Sequence, residues 1–179
     1  MARMPSRFSG VSRLFSLITC ARDPDPILFD RLIAGIEALV VPAGWTREWI
    51  IVDHLSRSPL RRRETLADAL VRLPWIRVVE DDSARISGAR ARSIEESAGD
   101  TLIVLDDDCV PAPGYLVEAV DLLDAHHEVL CWGPGSVTLD WMDATPPPWL
   151  DARWKTTFFQ ERRQTMTSWA SEQGWPACY

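Results

Sequence analysis

The stretch "TLIVLDDDCVPAPGYL" (Thr101–Leu116) places three consecutive aspartates directly after an apolar run. Carboxylates this close repel one another, and withdrawal from water strengthens the repulsion, so a cation is expected beside them. If the run is a strand, its alternation puts Asp106 and Asp108 on one side and Asp107 on the other. An Asp-x-Asp pair on one side suits a hard divalent cation, which often bridges protein carboxylates to substrate phosphates. A solvated acidic turn and a helix-capping cluster remain open as alternatives.

The elements that must position these aspartates follow from the alternation of apolar runs with helical patterns. Strands are predicted at Leu14–Cys20, Glu48–Asp53, Trp75–Glu80 and Thr101–Asp106. Helices are predicted after the capping residue Asp25, over 61–73, over 84–99 with a left-handed cap at Gly99, and over 113–127. This β-α repetition indicates a mostly parallel sheet covered by helices on both faces. Ligands of such sheets bind beyond the carboxyl ends of the strands, where Asp53 and the three aspartates would lie.

Length and composition limit the classes of protein. The 179 residues are enough for one domain with a sizeable core, and the net charge of −7 argues against nucleic-acid binding. The four scattered cysteines indicate reduced thiols in a cytosolic protein, without a zinc site or a disulfide framework. No apolar run approaches the roughly 18 to 20 residues that span a bilayer.

The chain changes character towards its end. Residues 1–13 are predicted to be an N-terminal tail, and 14–140 an α/β region that holds the ligand. The segment "TPPPWL" breaks regular structure, and 141–179 is rich in tryptophan. Aromatic faces pack well against sugar rings, although large aromatics more often fill cores and interfaces. We therefore expect 141–179 to be an acceptor-side segment of the same domain.

The run "GARARSIEESAGDTLIVLDDDCVPAPGYL" resembles the core signature of family 2 glycosyltransferases, which have the GT-A fold. Ala89-Arg90 matches the start of that signature, Gly99-Asp100 its Gly-Asp, and the acidic run its Asp-x-Asp. The segments "LITCARDP" and "WIIVDHLS" resemble the first two strands of the family. The resemblance implies the GT-A fold of the nucleotide-diphospho-sugar transferases, a Rossmann-like α/β fold with a mostly parallel sheet between helices. Whether the fold is truncated at the C-terminus is left open.

The resemblance also implies roles for residues at the strand ends. Thr19, Ala21 and Arg22 would lie beside the nucleoside. Asp53 would hydrogen-bond the base, with a strand-ending turn aspartate as the alternative. Arg90 would lie near the diphosphate or ribose, with a solvated helix arginine as the alternative.

At the acidic run, the resemblance makes Asp108 the principal ligand of Mn²⁺ or Mg²⁺. Asp106 would contact the ribose, the sugar, or the metal through water, and Asp107 would be a surface charge. The reaction implied is an inverting hexosyl transfer from a nucleotide sugar, a UDP-sugar before others, to a glycan or lipid-linked acceptor. We expect a cytoplasmic protein. Peripheral contact with the inner face of the membrane and self-association are both left open.

Departures from the signature leave the catalytic base unassigned. Ala91 replaces the asparagine of the family, and the Glu-Asp motif that carries its general base is expected beyond Tyr179. Glu161 and Glu172 are weak candidates for that role. A catalytically incomplete nucleotide-sugar-binding fragment is therefore the main alternative. A receiver-type phosphoacceptor domain fits less well, because the sole lysine, Lys155, lies beyond the predicted sheet.

Overall fold

The computed structural model describes residues 13–83, 85–133, 137 and 140–142. In chain order the elements are β1 (Arg13–Ala21), α1 (Pro26–Ala38), β2 (Trp45–His54), a 3-10 turn (Leu60–Arg62), α2 (Glu64–Arg72), β3 (Ile76–Asp81), α3 (Ile86–Glu96), β4 (Thr101–Val104) and α4 (Tyr115–Ala125). The chain up to Ala125 is one compact unit that holds all these elements, and the chain from His126 onward is a second. Nearly all of the predicted 1–13 and 141–179 segments lies outside the described residues, so the division predicted from the sequence stays a prediction.

Within the described residues, the strands form one parallel sheet in the order β3-β2-β1-β4. The register places Ala21 beside Asp53, His54 beside Asp81, and Ile18 beside Val104. Because all the pairs are parallel, the carboxyl ends of the strands lie along one edge of the sheet. The predicted parallel α/β sheet is confirmed.

Helices cover both faces of the sheet. Ala89 of α3 packs against Ile18, Ile50 and Val52, which lie on one face. Trp49 lies between these positions along β2 and therefore points to the opposite face, where its ring is 6.5 Å from that of Phe29 in α1. The even-numbered positions of β1 and β2 thus face α3, and the odd-numbered positions face α1.

The start of α1 follows the local sequence closely. The carboxylate of Asp25 accepts hydrogen bonds from the backbone N–H groups of Ile27 at 2.9 Å and Leu28 at 3.1 Å. Pro26 occupies the first turn, where its missing N–H group costs nothing. The predicted cap is confirmed, and the loop that leads out of β1 therefore has a fixed end.

The prediction that α3 ends at Gly99 with a left-handed cap is wrong. The helix ends at Glu96, and Ser97 is already extended. Gly99 instead lies against β1, where a Cβ atom would come within 2.5 Å of Ser16 Oγ and 2.8 Å of Leu14 O. The glycine permits this close approach of two backbones, and its N–H group donates to Ser16 Oγ at 2.8 Å. The approach fixes where β4 enters the sheet.

The predicted fourth strand is also too long. It extends from Thr101 to Val104, although the N–H group of Leu105 still donates to Ile18 O at 2.9 Å. The acidic run therefore begins where pairing with β1 ends. Beyond the acidic run, the chain is held on the segment that follows α1, because the N–H group of Val40 donates to Pro113 O at 2.8 Å.

Candidate functional site

The order of the strands creates a crevice at the carboxyl end of β1. The chain continues from β1 to β2 and β3 on one side, and returns to place β4 on the other side of β1. Such a reversal separates the loops that leave the two adjacent strands, and ligands of open α/β sheets bind in the gap. The loop that begins at Arg22 lies on one side of this crevice, and the acidic run of 106–108 lies on the other.

Arg90 and Asp106 meet at this crevice. The Nη2 atom of Arg90 lies 3.5 Å from Oδ1 of Asp106, and the two side chains are 55% and 64% exposed. Ala89 is fully buried against the sheet, so Arg90, the next residue around α3, projects away from that contact. Two residues predicted separately from the sequence are thus neighbours, and both remain open to a ligand.

The three aspartates occupy a turn, and not the strand whose alternation was expected to orient them. The N–H group of Cys109 donates to Asp106 O at 3.1 Å, which closes the turn. Asp106 and Asp108 are nevertheless exposed, and Asp107 is half-buried. Burial, with the nearby charge of Asp108, raises the pKa of the Asp107 carboxyl. Asp106 and Asp108 are therefore the carboxylates that a ligand in solvent can reach.

Asp106 and Asp108 carry ligand groups of the type that a divalent cation prefers. Asp106 and Asp108 offer exposed carboxylate oxygens, the ligands that Mg²⁺ and similar cations prefer. In the part of the chain that the structure describes, no group of three or more His, Cys, Asp or Glu side chains could enclose a metal ion. Binding by one or two carboxylates, completed by substrate phosphates and water, needs no such enclosure.

Asp53 is almost fully buried at the end of β2, and both its oxygens are engaged. Its Oδ1 accepts from the N–H group of Ser56 at 3.3 Å, and its Oδ2 from that of Leu60 at 2.8 Å. These bonds hold the loop that follows β2. A carboxylate oxygen can accept more than one hydrogen bond, so a contact with a base remains compatible with this role.

The loops after β1 and β2 are tied to each other. The carboxylate of Asp23 accepts from the N–H group of Arg57 at 2.8 Å, and the N–H group of Asp23 donates to Ser56 Oγ at 3.0 Å. Asp23 and Leu55 have positive φ values of 47° and 59°, which side chains other than glycine rarely adopt. Strained backbone persists where its surroundings fix it, often at ligand sites.

The other residues predicted near the nucleoside differ in accessibility. Thr19 is fully buried, and its Oγ1 accepts from Trp49 Nε1 at 3.1 Å. Ala21 is buried beside Asp53, whereas Arg22 is exposed. Of the three, only Arg22 offers a side chain to a ligand in this structure, and their roles stay predictions.

A polar group that the sequence analysis missed lies at the ends of β2 and β3. His54 Nδ1 lies 3.0 Å from Oδ2 of Asp81, and the two side chains are 5% and 11% exposed. The hydroxyl of Ser83 donates to the same oxygen, and the N–H group of Ser83 does so at 3.2 Å. The Ser83 hydroxyl, assisted by His54, lowers the pKa of the Asp81 carboxyl. The only indication in the sequence is that a polar residue ends each of two strands. That these residues are paired depends on the register of β2 with β3.

Cys20 is a second residue that the sequence analysis did not connect with the site. Burial raises the pKa of its thiol, and a hydrogen bond with Ser93 of α3 opposes that effect. The charges of Arg90, Asp81 and Asp106 also act on the thiol. Cys20 therefore lies within electrostatic range of the charged groups at the ends of β3 and β4, and its direct hydrogen-bond partner is Ser93 of α3.

The comparison with protein families gives these residues a context. A family model described as "Glycosyl transferase family 2" matches residues 46–174, more than half of the chain. The chain belongs to glycosyl transferase family 2. The matched segment includes Asp53, Arg90 and the acidic run, which the sequence analysis had assigned to this family on its motifs.

Solved structures share the GT-A fold of this family 2 member. Residues 1–349 of S. aureus TarS superpose with a TM-score of 0.54 at 17% identity, over 63% of this chain and 33% of that one. The mannosyltransferase PcManGT from Pyrobaculum calidifontis, in complex with GDP-Man and Mn²⁺, superposes with a TM-score of 0.52 at 18% identity, over 64% and 33%. TarS 1–349 in complex with UDP gives the same TM-score of 0.54. The chain thus spans about a third of the length of these structures, and the predicted fold class is confirmed.

Further findings bear on the remaining predictions. No curated protein matches the chain significantly. No helix among the described residues is long and apolar enough to cross a membrane. The candidate bases Glu161 and Glu172 lie outside the described residues, as do nearly all of the tryptophans predicted on the acceptor side.

Proposed function

We propose that this family 2 member binds a nucleotide sugar at the crevice between β1 and β4 and transfers the sugar with inversion. The observation that carries the proposal is the Arg90–Asp106 pair, which puts a guanidinium beside an exposed carboxylate at the reversal of strand order. A diphosphate needs a cation, and a ribose or sugar hydroxyl needs an acceptor. The pair offers both at one point.

The tied loops after β1 and β2 would hold the nucleoside. Asp53 and Asp23 fix these loops through backbone N–H groups, so the surface presented to the base is set before the ligand arrives. A preorganised site loses less entropy on binding. Asp53 would accept a hydrogen bond from the base. Thr19 and Ala21 would shape the nucleoside pocket through their backbone, and Arg22 would contact the nucleoside with its side chain.

Asp108, assisted by Asp106, would hold Mn²⁺ or Mg²⁺. When bound, the cation neutralises the charge that builds on the departing nucleoside diphosphate. Arg90 would stabilise the same charge from α3, and Asp106 would orient the ribose or the sugar. The acceptor hydroxyl then attacks the anomeric carbon from the face opposite the leaving group, which inverts its configuration. That hydroxyl must lose a proton to a general base, a role for which Glu161 and Glu172 remain weak candidates.

The nucleotide of the donor is suggested by solved proteins of the same fold. S. aureus TarS has been solved with UDP and PcManGT with GDP-Man and Mn²⁺, so nucleoside diphosphates of both bases occur in proteins of this fold. We propose a UDP-hexose first and GDP-mannose second as the donor. The acceptor would be a glycan or a lipid-linked glycan, and the site of action the cytoplasm or the inner face of a membrane.

The proposal is tested by release of nucleoside diphosphate. Purified protein is incubated with UDP-hexoses and with GDP-mannose in the presence of Mn²⁺, and free UDP or GDP is measured over time. We expect metal-dependent release that Asp108→Asn abolishes and that Asp107→Asn, the neighbouring control, leaves nearly unchanged. Tight binding of the nucleotide without any release, with or without added glycan acceptors, would contradict the transferase and leave the nucleotide-sugar-binding alternative.

A further inference from the structure

We propose that His54, Asp81 and Ser83 form a hydrogen-bonded network that positions Arg90 at the crevice. The inference rests on the proposed function, because Arg90 is the group through which the network would act on the nucleotide. We call these three residues the Asp81 network. Its members would be positioning residues, with no contact to the ligand required of them.

The network is centred on a single oxygen atom. Oδ2 of Asp81 accepts from His54 Nδ1 at 3.0 Å and from the N–H group of Ser83 at 3.2 Å. The hydroxyl of Ser83 donates to the same oxygen. Because Asp81 is ionised and Nδ1 lies next to it, Nδ1 carries the proton of the imidazole. Three donors on one oxygen fix the orientation of the carboxylate and of the residues that lead out of β3.

The network continues into the first turn of α3. The single hydroxyl proton of Ser83 is shared between Asp81 Oδ2 and the carbonyl oxygen of Arg85, which lies 3.2 Å from Oγ. Arg85 is the residue before the helix, and its own side chain provides no cap. Gly88 lies against Ser83 so closely that a Cβ atom would be 2.5 Å from Ser83 Oγ and 2.6 Å from its Cβ. Ser83 therefore contacts both the residue before α3 and its first turn, and it limits how near that turn comes to β3.

Arg90 comes one turn later on the same helix. The 3.5 Å separation of Arg90 Nη2 from Asp106 Oδ1 is already long for an ion pair. A helix advances 1.5 Å per residue, so a small sliding of α3 would carry the guanidinium away from Asp106 and from any ligand there. Misplacement of a catalytic contact by about 1 Å can reduce rates by about 10²-fold.

A polar network is a costly way to join two strands. An apolar pair at positions 54 and 81 would hold β2 and β3 together without burying a carboxylate. The adjacent positions Val52 and Val79 already form such a pair on this face. Hydrogen bonds depend on direction, whereas apolar contacts do not. The polar group therefore fixes the orientation of Ser83 and, through it, the position of α3.

The test is a double-mutant cycle on nucleotide affinity. The dissociation constants of UDP and of GDP, each with Mn²⁺, are measured by calorimetry for Ser83→Ala, Asp81→Asn and Arg90→Ala, and for each network variant combined with Arg90→Ala. We expect each network variant to weaken binding about three- to thirtyfold in the wild-type background and less than about twofold in the Arg90→Ala background. Additive losses in the two backgrounds would overturn the inference.

Two further variants separate positioning from general damage. His54→Asn keeps an N–H donor near the Nδ1 position and should retain most of the affinity, whereas His54→Leu should lose it. Glu96→Gln breaks ion pairs with Arg77 and Arg92 at the far end of α3, and any change that it makes in the melting temperature should come without a change in affinity. If Arg90→Ala weakens binding and no network variant does, only this inference fails. If the wild-type protein binds neither nucleotide, the proposed function fails and the inference fails with it.

Discussion

Arg90 and Asp106 meet at the crevice, with 3.5 Å between Nη2 and Oδ1. Arg90 belongs to α3 and Asp106 to the turn after β4, so the pair joins these two elements at the strand ends. More than half of each side chain is exposed. An exposed ion pair adds little to stability. A role of this pair in ligand binding is therefore the more informative hypothesis to test.

Replacement of Arg90 should separate binding from stability. We expect Arg90→Ala to change the free energy of unfolding by less than about 0.5 kcal/mol, because the pair is solvent-exposed. The affinity for a nucleoside diphosphate should fall about 10- to 100-fold, since a charged hydrogen bond contributes about 1.5–3 kcal/mol when its partner is charged. Denaturant unfolding and calorimetry on the same preparation check both. A large loss of stability with unchanged affinity would make Arg90 a structural residue.

Replacement of Asp53 should affect stability and binding together. Its carboxylate is the acceptor for the N–H groups of Ser56 and Leu60, and Asp53→Ala would leave both without that partner. We expect a loss of about 1–3 kcal/mol in the free energy of unfolding, together with weaker nucleotide binding. Thermal unfolding of Asp53→Ala, with and without saturating nucleotide, measures both effects. Unchanged stability would mean that the loop after β2 is held by other contacts.

The contribution of Asp81 should depend on pH. Hydrogen bonds from Ser83 and His54 lower the pKa of its carboxyl in the folded protein. Such a group stabilises the fold at pH values above its unfolded pKa of about 3.9, and the stabilisation is lost as the pH falls through that value towards the folded pKa. The difference in unfolding free energy between the wild-type protein and Asp81→Asn should thus be constant near neutrality and shrink in acid. A difference that does not vary with pH would contradict this origin.

The thiol of Cys109 offers a check on the acidic turn. Cys109 is exposed, yet partial desolvation of its thiol and the charge of Asp108 raise its pKa to about 11, and the Sγ atom donates to Asp108 Oδ1 at 3.5 Å. Asp108→Asn should lower that pKa, and each unit gives about tenfold more thiolate. Alkylation of Cys109 by iodoacetamide near pH 8, followed by mass spectrometry, should therefore be faster in Asp108→Asn than in the wild-type protein. An equal rate would place the Asp108 carboxylate away from the thiol.

Local patterns in the sequence were enough to predict much of the fold. Asp25 before Pro26 predicts the start of α1, because a cap depends only on residues that follow it directly. The role of Gly99 does not follow from local sequence. Its role depends on Ser16, which is far away in the sequence, and no local pattern distinguishes a capping glycine from one that admits a neighbouring strand.

The residues of the candidate site show the same difference between local and long-range signals. Asp106 and Arg90 were each identified from a motif, but their proximity depends on the packing of Ala89 onto the sheet. His54 and Asp81 carry no motif, and they become partners only through the register of β2 with β3. Residues whose role is set by register or by helix placement were therefore the ones that sequence analysis could not connect.

The central claim is that Asp106 and Asp108 bind a nucleoside diphosphate together with a divalent cation. Titration calorimetry of UDP and GDP, with Mn²⁺ and again with a chelator, measures this directly on the wild-type protein, Asp108→Asn and Asp107→Asn. We predict binding that Mn²⁺ strengthens at least about tenfold, a gain that disappears in Asp108→Asn and persists in Asp107→Asn, whose carboxyl is half-buried. Equal affinity with Mn²⁺ and with the chelator would contradict the account, as would an equal effect of the two substitutions.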